Sequence, residues 1–304
     1  MMSDRRKFLW KVAIFILLNI IFWRGWLAPA RMAKLGPLNN SNTNSSLFTI
    51  PSGNMYDFVI LGTSRVAVFS GGDSHASVES ILGMKFFSFA KPSAGVLPEK
   101  IYLSYFFHQH NQTKNIVYFL DPFVMYSSYR NEQYPFDEEP YRNFVLLSMI
   151  QNHFNWDIIS GYIKSNLDLR RSPKPRPAYV CGTKSVVSFD KSKLPNEISQ
   201  IYFNGFDRSR FDEYATDLVD MVNIAKKNNA HMVFIIPPYL WWQQDPGRKH
   251  LLDLLEKYKK LYDIDFYDLS NPDEDLSMYA DYDHLTCKGV QHFTEKFLKP
   301  ILKR

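Results

Sequence analysis

Beyond residue 53 the chain alternates short, nearly continuous apolar runs with longer stretches of helical period. Residues 56–61 form the first run, Tyr-Asp-Phe-Val-Ile-Leu, which ends in Gly62-Thr63-Ser64. Further runs at 85–89, 115–120, 231–236 and 263–269 predict four more strands, two of them closed by Asp121-Pro122 and Pro237-Pro238. Helical spacing is predicted over 96–109, with Pro98 near the start, and over 208–228, 250–262 and 289–303. Continuous apolar strands are expected where both sheet faces are covered, and their alternation with helices predicts an α/β fold with a doubly wound parallel sheet. The pattern fails at about 123–204, which is aromatic and proline-rich with a basic segment at 170–177. That stretch reads as an insertion packed over the strand ends. No internal repeat is visible.

The N-terminus has a different character. Residues 8–27 are almost wholly apolar, with Lys11 and Arg24 placed to snorkel at either end and Trp10, Trp23 and Trp26 where an interfacial belt would lie. Residues 1–34 are therefore expected to be a transmembrane anchor, and Arg5-Arg6-Lys7 predicts a cytoplasmic N-terminus with the body exported. Two cleavable readings stand beside it, a signal-peptidase site at Ala28-Pro29-Ala30 and a twin-arginine signal at residues 5–9, and both also export the body. Residues 35–52, rich in Asn, Ser, Thr and Pro, read as a flexible linker, and 53–304 as the folded domain with its insertion.

Composition narrows the function classes. Hydrophobic residues make up 45% of the 304, enough for one large core. The net charge is +5, but the first 34 residues hold seven basic side chains against Asp4, so the body is near neutral and nucleic acid is not an expected partner. Aromatics reach 16%, which suits either a Phe-rich core or a groove for an amphipathic ligand such as a sugar. Two cysteines, Cys181 and Cys287, are too few for a disulfide framework and have the wrong spacing for a zinc site. They could pair in an oxidising compartment, although a structural thiol is the favoured reading for Cys287. His108 and His110 fall on opposite sides of a helix, a poor metal pair, and no metal or cofactor is expected. The sequons at Asn44 and Asn111 matter only in a eukaryotic secretory setting.

Ligands of a doubly wound sheet bind outside the carboxyl ends of the strands. Ser64 follows the first strand there, Gly95 the second, and Asp281-Tyr282-Asp283-His284 the last. A serine hydroxyl needs a base, which His284 can supply, and Asp281 three residues earlier can turn back to orient the ring. The amides of Ser64 or Arg65 and of Gly95 are candidates to hold the oxyanion. Blander readings attach to the same residues: Ser64 as a helix cap, Asp-x-x-His as a loop hydrogen bond, and Asp283 as a rival to Asp281. Gly72-Asp73-Ser74 is a decoy for the nucleophile, since no apolar strand precedes it.

Together, Gly62-Thr63-Ser64-Arg65 after a strand, a glycine after the second strand and Asp281-x-x-His284 resemble the SGNH (GDSL-like) hydrolase superfamily. The resemblance is greatest to its membrane-anchored envelope branch, which includes teichoic acid D-alanine transfer and alginate-type O-acetylation proteins. It implies a flavodoxin-like fold, no metal and an acyl-serine intermediate. Family hydrolases usually carry an oxyanion-holding Asn after the third strand; here Leu120-Asp121-Pro122 stands there, and Asn204 is a possible substitute. A carboxylate at Asp121 cannot donate unless protonated.

These readings lead to a serine-dependent O-acyltransferase or esterase acting on envelope polysaccharide at the outer face of the cytoplasmic membrane. Its expected partners are a glycan or acylated carrier as substrate and, by the resemblance, a membrane-bound O-acyltransferase. The alternative is a non-catalytic binding or assembly subunit. A lipid or thioester hydrolase would instead show a deep apolar pocket.

Overall fold

The computed structural model describes residues 4–22, 25, 46–167, 180–203, 205–271 and 275–303. Strands β1 (Met55–Leu61), β2 (Phe86–Ser88), β3 (Gln112–Phe119), β4 (His231–Ile236) and β5 (Ile264–Asp268) form one sheet in the order β2-β1-β3-β4-β5, with every pairing parallel. This is the doubly wound order of flavodoxin-like sheets. The chain steps outward from β1 to β2 and then returns to the other side for β3. A crevice therefore opens outside the carboxyl ends of β1 and β3.

The helices are α1 (Asp4–Phe22), α2 (Ser64–Ala67), α3 (Ser74–Leu82), α4 (Val96–His108), α5 (Asn143–Gln151), α6 (Trp156–Leu167), α7 (Leu194–Ile201), α8 (Arg208–Lys227), α9 (Arg248–Leu261), α10 (Cys287–Phe293) and α11 (Lys299–Leu302), the last two joined by a π turn. Strand residues alternate between two cores. Val59, Leu61, Ile116, Tyr118, Met232 and Phe234 face the α4–α8–α9 side. Phe58, Ile60, Val117, Phe119, Val233 and Ile235 face the side of α2, α3 and α10. Covering both faces is what let these strands be continuous apolar runs. Helix α4 is braced to α8 by Lys100, whose Nζ lies 2.5 Å from Asp217 and 3.1 Å from Asp220.

No helix among the described residues is long and apolar enough to cross a membrane. In α1, Arg5, Arg6, Lys7 and Lys11 occupy the first half, leaving residues 12–22 as its uncharged run.

The expected linker does not stop short of the body. Leu47, Phe48 and Ile50 are buried, and the Phe48 ring packs against Tyr102, Tyr105 and Phe136. The apolar trio inside a polar stretch is the signal that the composition hides. Asn111, a sequon residue, is likewise buried and accepts the Asn54 amide.

Cys181 and Cys287 are joined in a disulfide, which corrects the reading of Cys287 as a free thiol. The bond fastens a strap, residues 180–190, over the segment leading into α10. Val186 donates to the Tyr279 carbonyl at 2.8 Å, and Phe189 packs edge-on against Tyr282. The closed loop spans 106 residues, so its removal is expected to destabilise the fold by about 2–5 kcal/mol. Melting wild type and a Cys181→Ser/Cys287→Ser variant with and without reductant checks this. Reductant should lower only the wild-type transition, and equal melting of all four samples would refute it.

Candidate active site

Strand β1 runs straight into the site. Gly62 has φ 149°, and a Cβ there would sit 3.0 Å from both the Phe119 carbonyl and the Val66 side chain, so glycine is required for the turn. Thr63 caps α2, its Oγ1 accepting from Arg65 N–H at 3.4 Å. Capping thus falls to Thr63 and leaves the Ser64 hydroxyl available. That hydroxyl lies 3.0 Å from His284 Nε2. On the other side of the ring, Nδ1 lies 2.9 Å from both carboxylate oxygens of Asp281.

His284 is held by a loop closed on itself. Ala280 donates to the His284 carbonyl at 2.8 Å, and Tyr279 bridges Leu285. Asp281 Oδ1 also accepts the Asp283 and His284 amides at 2.8 Å. Burial pushes the Asp281 carboxyl up, but the His284 ring and those two amides outweigh it and hold it below the ordinary aspartate value. An ionised Asp281 favours the tautomer of His284 with its proton on Nδ1, in which Nε2 can accept from the Ser64 hydroxyl.

Asp283 has another task. Its carboxylate accepts from Arg65 Nη2 at 3.0 Å and from the Trp241 indole. The guanidinium of Arg65 also bonds Asp121 at 2.8 Å, and Thr63 Oγ1 donates to the same carboxylate at 2.6 Å. Phe123, Tyr239 and Trp241 supply rings around Arg65 at 5.1, 4.4 and 5.4 Å. Burial alone would pull this guanidinium down; Asp121 and Asp283 more than offset it and keep it above the ordinary arginine value. One buried cation therefore ties the serine turn, the end of β3 and the histidine loop together.

This arrangement corrects three expectations. Arg65 donates its amide to Thr63 Oγ1 and pairs its guanidinium with Asp121 beneath the turn, and Asp121 is fully buried, so neither is left to hold an oxyanion. The Gly95 amide is not an oxyanion donor, since it donates to the Arg130 carbonyl at 2.8 Å. Gly95 is needed for another reason: a Cβ there would lie 2.5 Å from Asn131 Oδ1. Asn204 lies outside the described residues.

The amides of Ser64 and Ser93 have no acceptor among the described residues. Ser93 follows β2 with φ 64°, and the bond from Lys91 N–H to the Gly62 carbonyl at 3.0 Å brings its segment alongside the Ser64 turn. A left-handed serine there is the kind of backbone outlier that sequence reading misses. A cleft of about 240 Å³ opens at this edge, lined by Lys91, Ser93, Tyr129, Tyr134, Asp137 and Glu138 among others. A larger cavity of about 490 Å³ lies at the opposite end of the sheet, beside Met55 and Gln112.

Among the described residues the decoy has no base bonded to it. Ser74 is buried with its Oγ 3.1 Å from Cys181 Sγ, and the ring of His75 is stacked on Phe86 at 4.1 Å.

Beneath the turn, the Gly62 amide donates to Glu99 Oε1 at 3.3 Å, while Oε2 is buried without a partner. Burial pushes this carboxyl well above 4.5, against the pull of the Gly62 bond and Lys91. A raised folded value means that its contribution to stability is whole below about 4.5 and is lost as pH climbs toward the folded value. Glu99→Gln is therefore expected to melt with wild type at pH 4 and above it at pH 8. Calorimetry at the two pH values decides, and a variant less stable at pH 8 would sink the assignment.

No family model matches the chain, and no curated protein matches it. Among solved structures it is similar to a candidate acylhydrolase from Bacteroides fragilis, at 11% identity and TM-score 0.42, over 86% of this chain and 92% of that one.

Proposed function

We propose that the chain is a serine-dependent acyl-ester enzyme of the SGNH type. The observation that carries this is the unbroken hydrogen-bonded chain from Ser64 Oγ to His284 to Asp281, drawn from opposite ends of the domain. In the first step Ser64 Oγ bonds to the acyl carbon and its proton passes to His284 Nε2. The tetrahedral oxyanion is held by the Ser64 and Ser93 amides. Collapse breaks the bond to the leaving alcohol, which takes the proton from His284, and acyl-Ser64 remains. An acceptor hydroxyl, or water, then gives its proton to His284 and attacks the acyl carbon.

Transfer to an envelope glycan is the finer reading. The neighbouring cleft is lined by Ser93 and by none of Ser64, Asp281 and His284; its tyrosines, carboxylates and lysine suit a hydroxyl-rich acceptor better than a lipid tail. The disulfide favours an oxidising compartment, and the basic, apolar N-terminus favours attachment to the outer face of the cytoplasmic membrane. An acyl-handing membrane-bound O-acyltransferase as partner rests on the family resemblance.

One observation favours the second reading, a non-catalytic binding subunit: the third donor that hydrolases of this type place after β3 is replaced by the buried Asp121. Labelling the purified chain with a fluorophosphonate separates the two. A single adduct on the peptide containing Ser64 is expected. A folded protein that stays unlabelled, alone and with its membrane fraction, would favour the binding subunit.

A further inference from the structure

Arg130, half-buried, stands out among the cations around the site. Lys91 is paired with Glu139, Lys100 with two aspartates, and Arg65 with Asp121 and Asp283. The Arg130 guanidinium has no ion pair and no hydrogen bond among the described residues, and its Nε is buried without a partner. The side chain is half-buried, so its outer nitrogens reach solvent, but an Nε sealed off without an acceptor is costly, and a native fold retains such a group only where something offsets it.

Its position is fixed. The Arg130 amide donates to Ser127 Oγ at 3.3 Å and its carbonyl accepts from Gly95 at 2.8 Å. The next side chain, Asn131, bonds the Val124 and Ser127 carbonyls at 2.9 and 2.8 Å and accepts from Leu97 N–H at 3.0 Å. A rigid turn thus carries Arg130 to the loop that holds Ser93. The guanidinium lies 4.7 Å from the centre of the Phe123 ring, and Arg65, the neighbour of Ser64, lies 5.1 Å from the same centre. Burial pulls Arg130 below the ordinary arginine value, and Arg65 adds to the pull despite Asp121. A bound anion would relieve both effects.

We propose that Arg130 is the anion-recognition residue of the substrate site, taking a carboxylate or phosphate group of the substrate beside Ser64. A planar guanidinium with free donors matches two oxygens of such a group, which a neutral sugar or alkyl ester does not offer. The placement beside the reacting serine rests on the acyl-enzyme reading; the anion binding itself does not.

The test uses the full chain carrying Ser64→Ala, so that no turnover intervenes. Its melting temperature is followed against inorganic phosphate and against methyl hemisuccinate at constant ionic strength. A saturable rise is expected with at least one of the two, and which one assigns phosphate or carboxylate. Adding Arg130→Gln should weaken that binding about tenfold or more without lowering the anion-free melting temperature, and Arg130→Lys should restore part of it. No saturable rise with either anion, an undiminished rise in Arg130→Gln, or a lower anion-free melting temperature as from a lost structural contact would each overturn the proposal. With Ser64 intact, Arg130→Gln should cut the preference for 4-nitrophenyl hemisuccinate over 4-nitrophenyl acetate about tenfold. If neither ester turns over, the acyl-enzyme reading fails while the binding result still decides for or against Arg130.

Discussion

Ser64→Ala is expected to lower turnover of 4-nitrophenyl acetate by about 10⁴-fold or more and to abolish fluorophosphonate labelling, with little change in stability. The hydroxyl is the only group lost, and among the described residues its single side-chain partner is His284. His284→Ala should cost about as much, because a serine without its base is as ineffective as a base without its serine. The two changes together should cost no more than either alone, since the pair acts as a unit. Asp281→Asn is expected to cost less. The amide can still accept from the loop backbone, but it no longer favours the imidazolium that forms when the serine proton arrives. Ser74→Ala is the control, expected to keep full labelling because its hydroxyl faces a disulfide sulfur. Equal losses from Ser64→Ala and Ser74→Ala would mean that the probe reports folding and not an activated serine.

The frame of this molecule was legible because its strands are buried on both faces. Runs such as 115–120 and 231–236 are apolar without interruption, and the structure places β3 and β4 there within a few residues. Strand β3 starts three residues early, at Gln112, because its first turn-side residues pair with Met55 and Tyr56 in spite of their polarity. Helices α3, α5, α6 and α7 were not legible. Each is short, and α5 and α6 leave Leu147, Ile150 and Trp156 exposed, so no clean polar face marks them. At the candidate site, the juxtaposition of Ser64, His284 and Asp281 could be read because their order follows the strand ends. The buried ion pairs could not. Arg65 looked like part of a motif and Asp121 like a departure from one, and only the fold reveals that the two belong to each other. Ser93 and Arg130 carry no sequence signal, since a left-handed backbone and a guanidinium Nε without a partner among the described residues are properties of three-dimensional packing.

That mutual dependence makes Asp121→Ala the change with the largest expected effect on stability, about 3–5 kcal/mol. It strips a fully buried guanidinium of one carboxylate and leaves Thr63 Oγ1 without its acceptor. The remaining partner, Asp283, holds the histidine loop, so the same change should loosen the Ser64–His284 contact and lower turnover about 10- to 100-fold in the fraction that folds. Asp121→Asn sharpens the test. If position 121 were an oxyanion donor awaiting the right side chain, an amide there would raise hydrolysis. The geometry expects the opposite, because the side chain at 121 is fully buried and committed to Thr63 and Arg65, so an amide would weaken the pair without reaching the acyl oxygen. Chemical denaturation of both variants, with kcat for 4-nitrophenyl acetate measured alongside, distinguishes the cases. A stable Asp121→Asn protein with faster hydrolysis would show that Asp121 stands in the oxyanion site and that Arg65 can do without it.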